Sequence, residues 1–200
     1  MKKSKLYYEQ VKKKWEDDYP SPNAMGEVWD FYKECGYHTP VASFTRVLER
    51  ISWDRRRILD FGCDNGLLLN FICNELNEVQ GFGIDINPRS IDEAIKKVPS
   101  CQFKIFDGLK IPFDDNYFDL IFTSAVIKHI RYEDRPQIYN EFRRVSKYLF
   151  IIEVDSEKKE TKNEQGWTFY LSDFRHEFAE NFKPIDVKSE CGDLWGLYQL

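Results

Sequence analysis

The stretch from Arg57 to Ile72, RILDFGCDNGLLLNFI, combines residue types that suit a nucleoside-sized ligand. Ile58, Leu59 and Phe61 read as a buried parallel strand, Gly62 to Gly66 as a tight turn, and Leu67, Leu68, Phe71 and Ile72 as one face of a helix. Glycine has no Cβ, so backbone amides at such a turn approach a ligand closely, and the helix N-terminus that follows faces the same place. In outline this is a nucleotide-type site.

The rest of the chain must supply a core that holds this turn. Two hundred residues fit one domain with a full core, so residues 1–200 are read as a single domain, with 1–52 a helical cap and 53–200 the core. At 42% hydrophobic, 16% aromatic and 32% charged residues, the composition is that of an ordinary globular protein. A net charge of −5 disfavours a nucleic-acid partner, because a hold on phosphate backbone needs concentrated Lys and Arg. Cys35, Cys63, Cys73, Cys101 and Cys191 form no C-x-x-C pair and have no His at ligand spacing, so neither a disulfide framework nor a metal site is expected. Met1 to Lys5 lacks an apolar signal core behind it, and no apolar run approaches the roughly 20 residues of a membrane span. A cytoplasmic, reduced protein is the expectation.

Along the chain, residues 4–19 carry Leu6, Tyr7, Val11 and Trp15 at roughly helical spacing, ended by Pro20 and Pro22. Further helices are expected over about 24–34 and 41–51. Val79 to Asp85 reads as a second strand ending in an acid, and Asn87-Pro88 as the cap and first turn of a helix reaching about Lys97. Strands over Cys101 to Phe106, Tyr117 to Thr123 and Tyr148 to Val154 follow, with a helix over about Tyr132 to Val145 between the last two. Asp155 to Gly166 reads as a charged loop, and Ser172 as the cap of a helix to about Asn181. Pro184 to Glu190 and Trp195 to Leu200 read as a terminal hairpin. Alternating strands and helices imply an open parallel sheet covered on both faces, with a ligand outside the carboxyl ends of the strands.

Several of these segments, taken in order, resemble the class I S-adenosylmethionine-dependent methyltransferases, and within them the small enzymes acting on metabolites and sugars. The resemblance covers Ile58 to Val154 and fits the terminal hairpin. It implies an α/β, Rossmann-like doubly wound, mostly parallel seven-stranded sheet with an antiparallel C-terminal hairpin and an N-terminal helical cap. It also implies S-adenosylmethionine as cofactor. Leu59-Asp60-Phe61-Gly62-Cys63-Asp64-Asn65-Gly66 is similar to the family's L-D-x-G-C-G-x-G. The backbone around Gly62, Cys63 and Gly66 would pass beneath the methionine portion, while Asp60 would order the turn or accept from the ligand's ammonium. Asp64 departs from the pattern by standing where the family has glycine, although Asp tolerates a left-handed backbone better than most residues.

Asp85 in Gly83-Ile84-Asp85-Ile86 resembles the acid that takes both ribose hydroxyls, since a carboxylate offers two oxygens to a vicinal diol, and Ile86 would lie against adenine. An acid there identifies a nucleoside only. The G-x-G-x-x-G fingerprint of a dinucleotide site is not matched by Gly62 and Gly66, which argues against a nicotinamide-dependent oxidoreductase. Asp107 and Gly108 stand where the family holds the adenine amino group and a ring nitrogen; Asp107 also reads as a plain turn residue. By the same resemblance, Thr123 and Ser124 would leave the fourth strand beside the reacting methyl. His129, in Val126-Ile127-Lys128-His129-Ile130, resembles a family histidine that serves as a general base or holds its loop, the second role being preferred.

No N-P-P-Y, D-P-P-Y or Pro-Cys motif is present, so base amines, glutamine amides and pyrimidine carbons are disfavoured as acceptors. The expected reaction is methyl transfer to O or N of a small molecule, with a sugar or glycan intermediate preferred. Tyr37, His38, Trp167 and Tyr170 are the candidate substrate residues, Trp167 reading equally as a core anchor. A protein side chain as acceptor, and a binding module without turnover, are the alternatives.

Overall fold

The computed structural model describes residues 2–17, 47, 49–76, 78–155, 161–162, 168–190 and 193–200. Helix α1 spans Lys2–Asp17 and strand β1 Arg57–Phe61. They are followed by α2 (Leu67–Glu75), β2 (Gln80–Asp85), α3 (Pro88–Lys97), β3 (Gln102–Ile105) and β4 (Phe118–Ser124). A 3₁₀ turn at Ile127–His129 precedes α4 (Arg135–Val145) and β5 (Ser146–Val154). A two-stranded pair, β6 (Thr161–Lys162) and β7 (Thr168–Phe169), comes before α5 (Phe174–Asn181), β8 (Lys183–Glu190) and β9 (Asp193–Gln199). The expected helix over 24–34 lies outside the described residues, as does most of that over 41–51, of which Val47 and Ile51 are buried in the core.

The main sheet runs β3-β2-β1-β4-β5-β9-β8. Strands β1 to β5 are mutually parallel, and β9 lies antiparallel between β5 and β8. The central strands are buried on both faces, which explains their near-continuous apolar runs. Within β1 the strand period of two sends Leu59 and Phe61 into a core with Phe142, Phe174 and Phe178, while Ile58 joins Leu69, Ile72, Phe150 and Trp195 on the other face. Strand order reverses between β1 and β4, so their carboxyl ends diverge and leave a crevice there.

Caps place the helices. The Asn87 side chain accepts from the Arg89 amide at 3.0 Å, as its position before Pro88 implies. At α5 the cap is Asp173, which accepts from the His176 amide at 3.0 Å, whereas the Ser172 hydroxyl, expected there, is drawn to Glu177. Helix α4 begins at Arg135 and not near Tyr132, because an Arg131–Asp134 ion pair of 2.6 Å closes the preceding turn. Asp119 in β4 fastens the approach to β1, its carboxylate accepting from the amides of Asp54 (3.0 Å), Arg55 (3.0 Å) and Arg57 (3.1 Å).

Replacing Asp119 by Ala strands three backbone donors at one place. We expect a loss of about 3 kcal/mol in unfolding free energy, read from urea denaturation, with the Asn variant retaining part of it.

Candidate functional site

A cavity of about 300 Å³ opens at the carboxyl ends of β1, β2 and β4, within the size range of small-molecule sites. Of the residues that sequence reasoning singles out, Gly62, Asp64, Asp85, Ile86, Gly108, Ser124 and His129 line it. Asp60, Cys63, Gly66, Asp107, Thr123 and Tyr170 do not. Tyr37, His38 and Trp167 lie outside the described residues.

The turn after β1 is built by stitching and not by reaching outward. Gly62 (φ 80°) and Gly66 (φ 76°) take the left-handed backbone, and Asp64, at φ 46°, does so as well. This lets the amides of Gly62 and Cys63 both donate to the Ile84 carbonyl, at 2.8 and 3.0 Å, while Gly66 donates to Cys63 at 2.9 Å. The Asp64 amide donates to Asp85 Oδ2 at 3.0 Å. These four amides are therefore spent within the protein and offer no ring of free donors for a phosphate, while the Gly62 backbone itself lines the cavity. A Cβ on Gly62 would stand 2.4 Å from Val126, so the turn also packs closely on the segment after β4.

Below the cavity, carboxylates gather. Asp85 receives the Asn87 amide on Oδ1 at 2.8 Å and Asp64 on Oδ2, which leaves lone pairs on both oxygens for further donors. Burial pushes its pKa up to about 6, against the pull of those amides. Asp60 is 3% exposed, and its Oδ2 has no hydrogen-bond partner among the described residues. Burial, then the nearby Asp85 and Asp64, raise its pKa well above the ordinary carboxylate range. The Asp64 carboxylate accepts from the Ser90 hydroxyl at 2.8 Å. Such a group repels phosphate and suits a ligand that carries a diol and positive charge.

Asp107 does not line the cavity. Its exposed carboxylate turns onto the amides of Leu109 (2.9 Å) and Lys110 (2.8 Å), the turn role that its type also allows, while Phe106 and Gly108 on either side line the wall. Thr123 is buried in β4, and Cys63 is buried with its pKa pushed up.

The segment after β4 forms the opposite wall. Ala125 holds a left-handed φ of 59°, a conformation costly for a residue with a Cβ, and its amide is tied to Ile152 at 2.8 Å. Glu153 at the end of β5 accepts from the Ile127 amide at 2.6 Å. Arg135, 2% exposed, donates to the Ile130 carbonyl at 3.2 Å, to Tyr170 and Ser172, and pairs with Glu177 at 2.7 Å. Tyr170 is thus part of this clamp: its amide donates to Lys128 at 2.7 Å and its ring meets Tyr132 edge-on. His129 is half-buried, packs edge-on against Phe169, and is lowered by burial to about 3. Its imidazole is neutral at physiological pH, able to accept a hydrogen bond and weak as a base.

Sequence reasoning missed the roof. Tyr8 and Val11 of α1 close the cavity, with Tyr8 set against Gly108, where a Cβ would lie 2.5 Å from its ring. The helix is pinned by Arg131, 4.3 Å from the Tyr7 ring, and by Arg89, which donates to the Glu16 carbonyl at 2.6 Å. The apolar stripe of α1 was the available signal, but a stripe does not say which part of the core it covers.

Residues 58–148 match the family model described as a methyltransferase domain. An uncharacterised methyltransferase of Schizosaccharomyces pombe is 27% identical over 133 residues, 60% of this chain and 47% of that protein. Phosphoethanolamine N-methyltransferase 3 of Arabidopsis thaliana is 34% identical over 98 residues, 47% of this chain and 19% of that protein. The chain spans less than half the length of these relatives. Among solved structures, a protein of Pyrococcus horikoshii superposes with a TM-score of 0.65 at 16% identity, covering 85% of this chain and 98% of that one. A SAM-dependent methyltransferase of Aquifex aeolicus gives 0.61 at 19% identity, covering 90% and 98%. At such identities the structural likeness establishes the fold.

Glu153 supplies a pH test of the wall. Burial raises its pKa from 4.5 to about 7, so the folded chain holds a proton that the unfolded chain has already released, and stability falls as pH rises through that window. Glu153→Gln keeps an acceptor for the Ile127 amide and removes the titration. Between about pH 5 and 8 the variant is expected to lose on the order of 2 kcal/mol less stability than the parent, measured by urea denaturation at each pH.

Proposed function

We propose that the chain is a class I S-adenosylmethionine-dependent methyltransferase that transfers a methyl group to nitrogen or oxygen of a small acceptor, a reading supported by the methyltransferase-domain match over residues 58–148 and by relatives named as methyltransferases. The observation that carries this reading is the pairing of spent turn amides with the half-buried Asp85 carboxylate and the buried Asp60 near it, an arrangement suited to a cationic nucleoside. S-adenosylmethionine, when bound, supplies a methyl group on a positively charged sulfur with a good leaving group.

In this reading Asp85 accepts the ribose hydroxyls and, with Asp64 beside it in the cavity wall, sets a negative field for the ligand's positive charge. Ile86 and Phe106 provide apolar walls for the base. Tyr8 and Val11 exclude water, which matters because alignment and desolvation are what the protein contributes to a displacement at carbon. His129 positions the acceptor by taking a hydrogen bond from its N–H or O–H, and does not carry off a proton at neutral pH.

Among the described residues the lining is mostly apolar, with Phe61, Phe106, Val126 and Ile130, which favours an acceptor whose nitrogen or hydroxyl stands on an apolar body. Relatives named for phosphoethanolamine and norajmaline N-methylation support the nitrogen arm. A sugar or glycan intermediate, the acceptor that the sequence prefers, is the second arm of the test. Among the described residues no helix is long and apolar enough to cross a membrane.

Calorimetric titration with S-adenosylmethionine and S-adenosylhomocysteine should give binding that weakens as pH falls through about 6, where Asp85 becomes protonated. Asp85→Ala should weaken it about ten- to a hundredfold, the loss of charge-assisted hydrogen bonds. No binding of either compound refutes the reading. Labelled methyl transfer onto pools of small amines, sugar nucleotides and proteins then identifies the acceptor, and binding without transfer to any pool supports the module without turnover. His129→Ala should lower kcat roughly tenfold without moving the pH–rate profile, because its imidazole does not titrate in that range.

A further inference from the structure

Cys73 in α2 and Cys101, one residue before β3, take no part in the cavity. They are separated by 28 positions and lack any motif spacing, yet their sulfurs lie 3.9 Å apart and both are half-buried. Gly81 of β2 makes the meeting possible: a Cβ there would stand 2.6 Å from each sulfur, so the bare backbone leaves a slot that the two thiols share. Bond formation requires the sulfurs to approach by about 2 Å, to the ~2.05 Å of a disulfide.

The thiols differ in a way that assigns their roles. The Cys101 thiol donates to the Cys73 sulfur across this gap, and the Ser100 hydroxyl lies 4.0 Å from Cys101 on its other side. Cys101, in the turn before β3 between the exposed Ser100 and Gln102, is the thiol that a dissolved oxidant reaches first, and Cys73, inside α2, is the resolving thiol.

We propose that Cys73 and Cys101 are a reversible redox pair, closed into a disulfide by small-molecule disulfides of the glutathione type. The Cys101 thiolate attacks one sulfur of the oxidant, forming a mixed disulfide and expelling the first thiolate. Cys73 gives its proton to solvent and attacks the Cys101 sulfur; the new S–S bond forms as the mixed disulfide breaks and the second thiolate leaves. The two protein thiols are oxidised and one oxidant disulfide is reduced to two thiols. The crosslink ties α2, which starts at the Gly66 turn, to β3, which runs into Phe106 and Gly108 of the cavity wall. Phe103 already wedges these elements, its ring 2.7 Å from where a Gly66 Cβ would stand.

The full reduced chain, held in mixtures of oxidised and reduced glutathione, should lose two hydrogens by intact mass and yield a Cys73–Cys101 peptide pair on mapping. Its thermal midpoint should rise and return on adding dithiothreitol. Cys73→Ser should stall with one glutathione on Cys101, and Cys101→Ser should give no crosslink to Cys73. A parent protein that keeps glutathione on Cys101 without closing, a crosslink through another cysteine, or a midpoint that falls on oxidation would overturn the proposal. None of these readouts depends on cofactor or acceptor, so they stand apart from the methyl-transfer tests.

Discussion

The Ile84 carbonyl, accepting the amides of both Gly62 and Cys63, is the interaction on which the site depends. It joins the exit of β1 to the end of β2 one residue before Asp85, so the turn and the acid share one frame. The stitch requires the chain to reverse within a few residues, which the left-handed Gly62, Asp64 and Gly66 allow. With the Asp64 amide then donating to Asp85, the carboxylate is held by the turn that it helps to hold.

That frame carries an electrostatic cost. Asp60 and Asp85 are drawn away from water, and burial pushes both pKa values up. A site that raises the energy of its own carboxylates has capacity to bind a cation and hydroxyl donors, since each ligand contact relieves a penalty present in the free protein. The opposite wall is arranged similarly: Ala125 holds an unfavourable φ, and Glu153 beneath it is buried with its pKa raised to about 7. Arg135 stabilises that wall, gathering the Ile130 carbonyl, Tyr170, Ser172 and Glu177 around one buried guanidinium.

Much of this was legible in the chain itself. The strands, the Asn87 cap and the tolerance of Asp64 for a left-handed turn all follow from local rules of period, capping and backbone sterics. Helix ends were less legible. Asp173 displaced Ser172 as a cap because Glu177 drew the serine hydroxyl away, and α4 started late because Arg131 paired with Asp134. Competition between neighbouring partners decided both.

The sequence by itself determined the parallel sheet, the position of the glycine turn and the acid that ends β2, because these depend on residue type and short-range spacing. Only the tertiary structure decided that the turn amides face Ile84, that Asp107 closes a turn, that α1 roofs the cavity through Tyr8 and Val11, and that Cys73 meets Cys101. Each of these is a choice among partners distant in the chain. Such choices are made by the packing of whole elements, where one carbonyl or one missing Cβ is enough to select the neighbour.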